Sequence, residues 1–463
     1  MVTKVTFLSL PSSEAIAFVD PLRKPNSATL HTDNNNIHPF MMSQHASVAS
    51  HANAAPSVVN ATTAEKTMHD SVNRKLHASR LGYFNDPFVS YFAQDDTLIN
   101  SPLMNRGYWL RVRAVERAIE VFAAQTKSVP SALASAPGGG AAASSSGGGD
   151  LLQVVSLGAG LDTQFFKWAA QYDKVVNLPP APDVPGHGHH HPLPSTSEFV
   201  NTFRGLHRYV EIDRPSVIEH KSYIMKDRHP EVFSRFAQHL SPRDQSPVYR
   251  TLAVDLTGGR QALKDAVAAS NSATAAGTNG SSSSTLSRLL DPSIPTIVVA
   301  ECVLVYFSKA VSDDIIQFFT QDLLAPPTPT LFYSYDAVHP ETRFGQNMVK
   351  NLHAAGIELA GIHDLPDPAS HERRCLSCGF QHARAWTMTQ LSLQLTQDQT
   401  RALNNIERID DWDEWKLVQD HYSVVVAVKG LALAEGGVPI ASTLFPPLPP
   451  LPPVVVQRVP LGA

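Results

Sequence analysis

The sequence predicts an α/β protein built on a doubly wound, mostly parallel seven-stranded sheet with an N-terminal helical cap. Three observations carry this reading. Short apolar runs alternate with helical patterns from residue 151 onward, the first run closes on the turn Gly158-Ala159-Gly160, and several later runs end on a carboxylate.

Residues 151–157 form the first apolar run, and the glycine turn leads from it into a helical pattern over 162–171. Further strands are expected at 208–212 ending on Asp213, 249–254 ending on Asp255, 296–305, and 331–335 ending on Asp336. A last pair near 381–385 and 422–428 fits an antiparallel finish, with a helix over 399–419 inserted between them. Residues 67–124 precede the first strand, read as helical, and are placed to cap the binding edge of the sheet.

The 463 residues suffice for one large core, and 37 Lys plus Arg against 42 Asp plus Glu give a net charge of −5. That balance argues against a broad phosphate-binding surface, and hence against nucleic acid as a partner. Charged residues make up only 17% while Pro reaches 35 and Gly 25, so a globular core carrying uncharged, disordered inserts is expected. Residues 1–64 read as a disordered extension, 65–430 as the folded domain, and 431–463 as a Pro-rich tail. The inserts fall near 128–149, 178–197 and 270–285. No apolar run reaches the length of a membrane span, and three cysteines form no disulfide framework, so a cytoplasmic location is expected.

In a doubly wound sheet, ligands bind outside the carboxyl ends of the strands, which marks the Gly158–Gly160 turn as the site. A phosphate-binding loop needs a Lys after its glycines, and Leu161-Asp162-Thr163 stands there instead. A dinucleotide fingerprint needs a third glycine, and that position is Thr163. Asp213 suits the hydroxyls of a ribose and Asp255 an adenine amino group; each is alternatively a cap or turn former. With the glycine turn, they favour an adenosine ligand. Glu301 interrupts an apolar run that extends from 297 to 307, where an unpaired carboxylate is very costly, so it serves a structural ion pair or faces a ligand.

The strings Leu157-Gly158-Ala159-Gly160-Leu161-Asp162-Thr163, Glu211-Ile212-Asp213, Val254-Asp255-Leu256, Ala300 to Tyr306 and Arg343-Phe344-Gly345-Gln346-Asn347-Met348 resemble the leucine carboxyl methyltransferases. So do Gly82 to Pro87 and Asn105 to Arg111, and the likeness runs from about residue 70 to 430. The resemblance implies a class I, Rossmann-like methyltransferase that uses S-adenosylmethionine. It further implies methyl-ester formation on the C-terminal leucine of the type 2A protein phosphatase catalytic subunit, a modification that regulates assembly of the phosphatase holoenzyme. Carried over by position, Lys75 and Arg111 would hold the methionine carboxylate, Gly158 and Gly160 the turn beneath it, and Asp213 the ribose. Asp255 and Leu256 would hold the adenine, and Glu301 the ammonium.

Two cations suit a carboxylate and an acid suits an ammonium, so the set is chemically coherent. Arg111 also reads as part of a solvated basic face with Arg106 and Arg113. A terminal carboxyl, with a reference pKa of about 3.5, is already ionised at neutral pH and needs no general base. Arg111 and Tyr306 are the candidates for orienting it, with backbone satisfaction of the Tyr306 hydroxyl as the alternative. Cys375 and Cys378 have metal-ligand spacing but lack a second pair, so no metal is expected, and the histidines at 187–191 lie in a Pro/Gly insert. Two rivals remain: a related enzyme acting on a small-molecule carboxyl or a modified tRNA base side chain, and a non-catalytic binding homologue.

Overall fold

Strand β1 (Leu152–Leu157) is buried along its whole length, as a central strand covered on both faces must be. The computed structural model describes residues 61–95, 97–127, 151–176, 202–276, 288–324 and 328–431. Around β1 lie β2 (Leu206–Asp213), β3 (Tyr249–Ala253), β4 (Thr296–Glu301), β5 (Thr330–Ala337), β6 (His382–Thr387) and β7 (Tyr422–Lys429). The seven-stranded sheet has the order β3-β2-β1-β4-β5-β7-β6. Strands β1 to β5 pair in parallel, and β7 runs antiparallel to both β5 and β6. The expected α/β class, seven strands and antiparallel finish are all present.

Alternate strand residues feed two cores. Val154, Ile297, Leu331, Tyr333, Val424 and Val426 face one side. Val155, Val210, Val298, Phe332, Val425 and Ala427 face the other. The strand order reverses between β1 and β4, which opens a crevice at their carboxyl ends.

The cap comprises α1 (Ala61–Arg80), α2 (Val89–Phe92) and α3 (Pro102–Lys127). The helices α4 (Gln164–Val176), α5 (Pro215–Tyr223), α6 (Pro230–Phe233), α7 (Gly259–Ala276), α8 (Lys309–Gln317), α9 (Arg343–Ala354) and α10 (Pro368–Ser377) connect the strands. Between β6 and β7 lie α11 (Met388–Ser392), α12 (Gln397–Ile406) and α13 (Trp412–Asp420). Arg106 of α3 donates to the Asn404 side chain at 2.8 Å, and Asn105 donates to the Glu407 carboxylate at 2.8 Å. These bonds fasten the cap to the C-terminal end of α12 and fix the face of α3 that looks into the crevice.

Three local expectations change. The apolar run expected as strand over 296–305 ends at Glu301: Cys302 adopts a positive φ of 53°, and a short helical turn follows at Leu304–Tyr306. Glu301 therefore sits at the strand's carboxyl edge and is partly exposed, not embedded in the sheet. The helix expected over 399–419 is two helices, because the Asp411 carboxylate accepts from the amides of Asp413 and Glu414 at 2.9 Å each and starts α13 afresh. Helix α7 continues to Ala276, into the stretch read as an insert from 270. Helix α1 begins at Ala61; residues 1–60, the inserts at 128–149 and 178–197, and the tail from 432 lie outside the described residues.

Two of the quoted strings have visible structural roles. The Thr163 hydroxyl, at the position where a dinucleotide site needs glycine, donates to Asp86, whose other oxygen accepts from the amides of Phe88 and Val89. The cap is thereby tied to the glycine turn. In α9, a Cβ on Gly345 would lie 2.0 Å from the carbonyl oxygen of His339, so only glycine fits there.

Candidate active site

The crevice between β1 and β4 opens into a pocket of about 200 Å3 lined from four directions. The turn after β1 contributes Gly158 to Asp162, β2 ends in it at Asp213, and the segment after β4 contributes Glu301 to Val303 with Tyr306 and Phe307. From the cap come Met68, Ser71 and Lys75 of α1 and Arg111 of α3. Of the expected site residues, the structure brings together Lys75, Arg111, Gly158, Gly160, Asp213, Leu256, Glu301 and Tyr306.

The turn beneath the pocket requires its glycines. Gly158 has φ +58°, and a Cβ there would lie 2.4 Å from Val303 Cγ2. Gly160 has φ +54°, and its amide donates to Asp213 Oδ2 at 2.7 Å. The second Asp213 oxygen accepts from the Arg214 amide at 2.7 Å, so the carboxylate is oriented by backbone on both sides. Burial raises the Asp213 pKa despite these two bonds.

At the opposite end the charges come in pairs. Arg111 Nε lies 2.6 Å from Glu301 Oε2, with the guanidinium 4.8 Å from the centre of the Tyr335 ring. Burial alone would lower the Arg111 pKa, but Glu301 overrides it, and the net shift is well upward. Lys75 Nζ lies 3.1 Å from Asp162 Oδ1. Burial opposes ionisation of Asp162, yet the Lys75 ammonium, with Lys221, holds it down to about 2. Lys75, Arg111 and Asp162 are therefore charged at neutral pH. Arg111 is thus part of an ion pair and not of a solvated basic face. Asp162, which sequence reasoning passed over, belongs to the site; its signal was its place directly after the turn, where a carboxylate meets the first amides of a helix.

Burial raises the Tyr306 phenol, so it remains a protonated donor, and pushes the neighbouring Cys302 thiol up to about 12, so it remains a neutral thiol. Asp255 stands apart. It is exposed, is absent from the pocket lining, and caps the turn Leu256–Gly258 by accepting from the Thr257 amide at 3.0 Å and hydroxyl at 2.8 Å. Cys375 and Cys378 are free buried thiols, raised by burial to about 12 and about 11.

No family model matches the chain. A leucine carboxyl methyltransferase 1 homologue from Arabidopsis thaliana is 26% identical over 380 residues, which cover 81% of this chain and 91% of the relative. The leucine carboxyl methyltransferase 1 of Rattus norvegicus is 24% identical over 374 residues, covering 79% of this chain and 89% of its own. The chain resembles the leucine carboxyl methyltransferases. A tRNA wybutosine-synthesizing protein 4 from Homo sapiens is 25% identical over 398 residues, covering 84% of this chain and 47% of the relative. With its strand order and with a pocket at the switch point, this methyltransferase-like chain is an enzyme of the methyltransferase type. Among the described residues, no helix is long and apolar enough to cross a membrane.

Proposed function

We propose that the chain uses S-adenosylmethionine to methylate the α-carboxylate of the C-terminal leucine of a protein phosphatase 2A catalytic subunit. The observation that carries this reading is the convergence of Lys75, Arg111, Glu301 and Asp213 on one pocket floored by the Gly158–Gly160 turn. The donor set matches the cofactor at each end. Two cations and one carboxylate suit a zwitterionic amino acid, and a backbone-oriented carboxylate beside a glycine turn suits a ribose. The turn beneath this donor set is fixed in place by packing, since a Cβ on Gly158 would collide with Val303 beside it.

In this reading Lys75 and Arg111 hold the methionine carboxylate, Glu301 the ammonium, Asp213 the ribose hydroxyls and Leu256 an adenine face, with Gly158 and Gly160 beneath. Asp255 contributes by holding the turn that presents Leu256. When bound, S-adenosylmethionine supplies a methyl group activated by its sulfonium. The protein's part is to bring a carboxylate oxygen of the acceptor into line with that methyl and to exclude water. The Tyr306 phenol, kept protonated by burial, donates to the acceptor carboxylate, and Arg111 attracts it. Because Glu301 already balances most of the Arg111 charge, the acceptor is oriented without losing its nucleophilicity. The acceptor carboxylate is already ionised, so no proton has to be removed.

In this reading the protein acts in the cytoplasm on its phosphatase partner and influences holoenzyme assembly. The test incubates the protein with methyl-labelled S-adenosylmethionine and either folded phosphatase catalytic subunit, the same subunit lacking its terminal leucine, or total tRNA. Base-labile label on the full-length subunit alone is expected. Label on tRNA would transfer the assignment to the activity class of the wybutosine-related relative, and cofactor binding without any transfer would favour a binding homologue.

A further inference from the structure

Behind the pocket, α5 sends Lys221 back toward the sheet, where its ammonium is 1% exposed and its partner, the Glu211 carboxylate, is 0% exposed. Lys221 Nζ donates to Glu211 Oε2 at 2.6 Å and to the main-chain oxygen of Asp162 at 2.6 Å. The Tyr249 hydroxyl donates to the same Glu211 oxygen at 2.7 Å. Neither Glu211 nor Lys221 lines the pocket, but Asp162 does, and its carboxylate meets Lys75.

A buried ion pair is weak support for stability, since well-packed apolar residues of similar volume often serve as well. Its geometry is more telling. Lys221 grips the peptide oxygen of the residue whose side chain holds Lys75, and the Asp162 carboxylate takes the Gln164 amide with its other oxygen at 3.4 Å. The links run Glu211 to Lys221, Lys221 to Asp162, Asp162 to Lys75, so the first pair fixes where the last cation stands. The Lys221 ammonium also lies 5.9 Å from the ring centres of both Phe92 and Phe166, which confines its path.

We propose that Glu211 and Lys221 are positioning residues that place Lys75, through Asp162, against the carboxylate end of the cofactor. The inference rests on the cofactor reading given above. It predicts an effect concentrated at the methionyl end: at the adenosine end, the Asp213 carboxylate is held by the amides of Gly160 and Arg214, and neither bond involves Lys221.

The test compares S-adenosylhomocysteine, which carries the amino-acid end, with methylthioadenosine, which lacks it. The double variant Glu211→Gln/Lys221→Met keeps the aliphatic stem against the two Phe rings and leaves no unpaired buried charge. It is expected to bind S-adenosylhomocysteine about tenfold more weakly, while methylthioadenosine affinity is unchanged. The single variant Lys221→Arg, which keeps a buried cation beside Glu211 but moves the donor relative to the Asp162 peptide oxygen, guards against misfolding and is expected to show a smaller loss in the same ligand only. Equal losses for both ligands, or no loss in a folded variant, would overturn the positioning role. Wild-type protein that binds neither ligand would overturn the cofactor reading itself, and the inference with it.

Discussion

Arg111 on the cap helix α3 and Glu301 at the end of β4 are 190 residues apart in sequence and 2.6 Å apart in space. Their contact closes one end of the pocket and couples the cap to the sheet edge, so the placement of α3 and the shape of the pocket depend on each other.

Replacing either partner tests that dependence. Arg111→Lys keeps the charge but loses the planar contact with Tyr335 and shortens the reach to Glu301. A fall in kcat/KM of about 10- to 100-fold is expected, read from initial rates of methyl transfer. Glu301→Gln leaves a buried guanidinium without its carboxylate and is expected to raise the KM for the cofactor more than it lowers kcat. Unchanged kinetics in both variants would separate the pair from the site.

Gly158→Ala places a methyl group at a positive φ and against Val303 at once. The backbone strain alone is about 1–2 kcal/mol. The expected outcome is a lower unfolding midpoint and a cofactor affinity reduced by more than the loss of stability explains, measured by thermal unfolding and calorimetric titration.

Asp162 gives a pH signature. Its pKa is about 2 in the folded protein, below the ordinary value of 3.8, despite the opposing effect of burial. Its ionised form therefore stabilises the fold fully above the ordinary value, and that contribution disappears as pH falls toward 2. Wild type is expected to be more stable than Asp162→Asn at pH 7, with the difference shrinking as pH drops from about 4 toward 2 in chemical unfolding curves. A pH-independent difference would show that the Lys75 partnership does not stabilise the fold.

Much of the frame was legible in the sequence, because the buried parallel strands are continuous apolar runs and the glycine turn punctuates the first of them. The end of β4 was not legible: residues 302–305 stay apolar, and only the left-handed backbone at Cys302 shows where the strand stops. The gap between α12 and α13 was hidden because helical periodicity continues through a segment broken by the Asp411 cap. Glu301 stood out as a carboxylate inside an apolar run, whereas Lys75 and Arg111 entered through family resemblance, and no periodicity in the sequence brings Arg111 to Glu301. Lys221 was missed altogether, since a lysine in a helix reads as solvated and only the fold turns it inward.

Asp255 takes the cap role that the sequence allowed as the alternative to adenine contact. Asp255→Ala removes a cap from an exposed turn, with an expected cost of about 1 kcal/mol in stability. Cofactor affinity is expected to change less than threefold, about 0.6 kcal/mol, because the side chain does not line the pocket. A large loss of affinity at unchanged stability would return Asp255 to direct adenine contact.

The central claim is the chemical identity of the methylated atom. Tandem mass spectrometry of the phosphatase subunit's C-terminal peptide, after incubation with the protein and S-adenosylmethionine, reads that atom directly. The account predicts one added methyl group, located on the carboxyl of the terminal leucine and removed by mild base. A methyl group on any other residue, or an unmodified terminus under conditions where the cofactor binds, would contradict it.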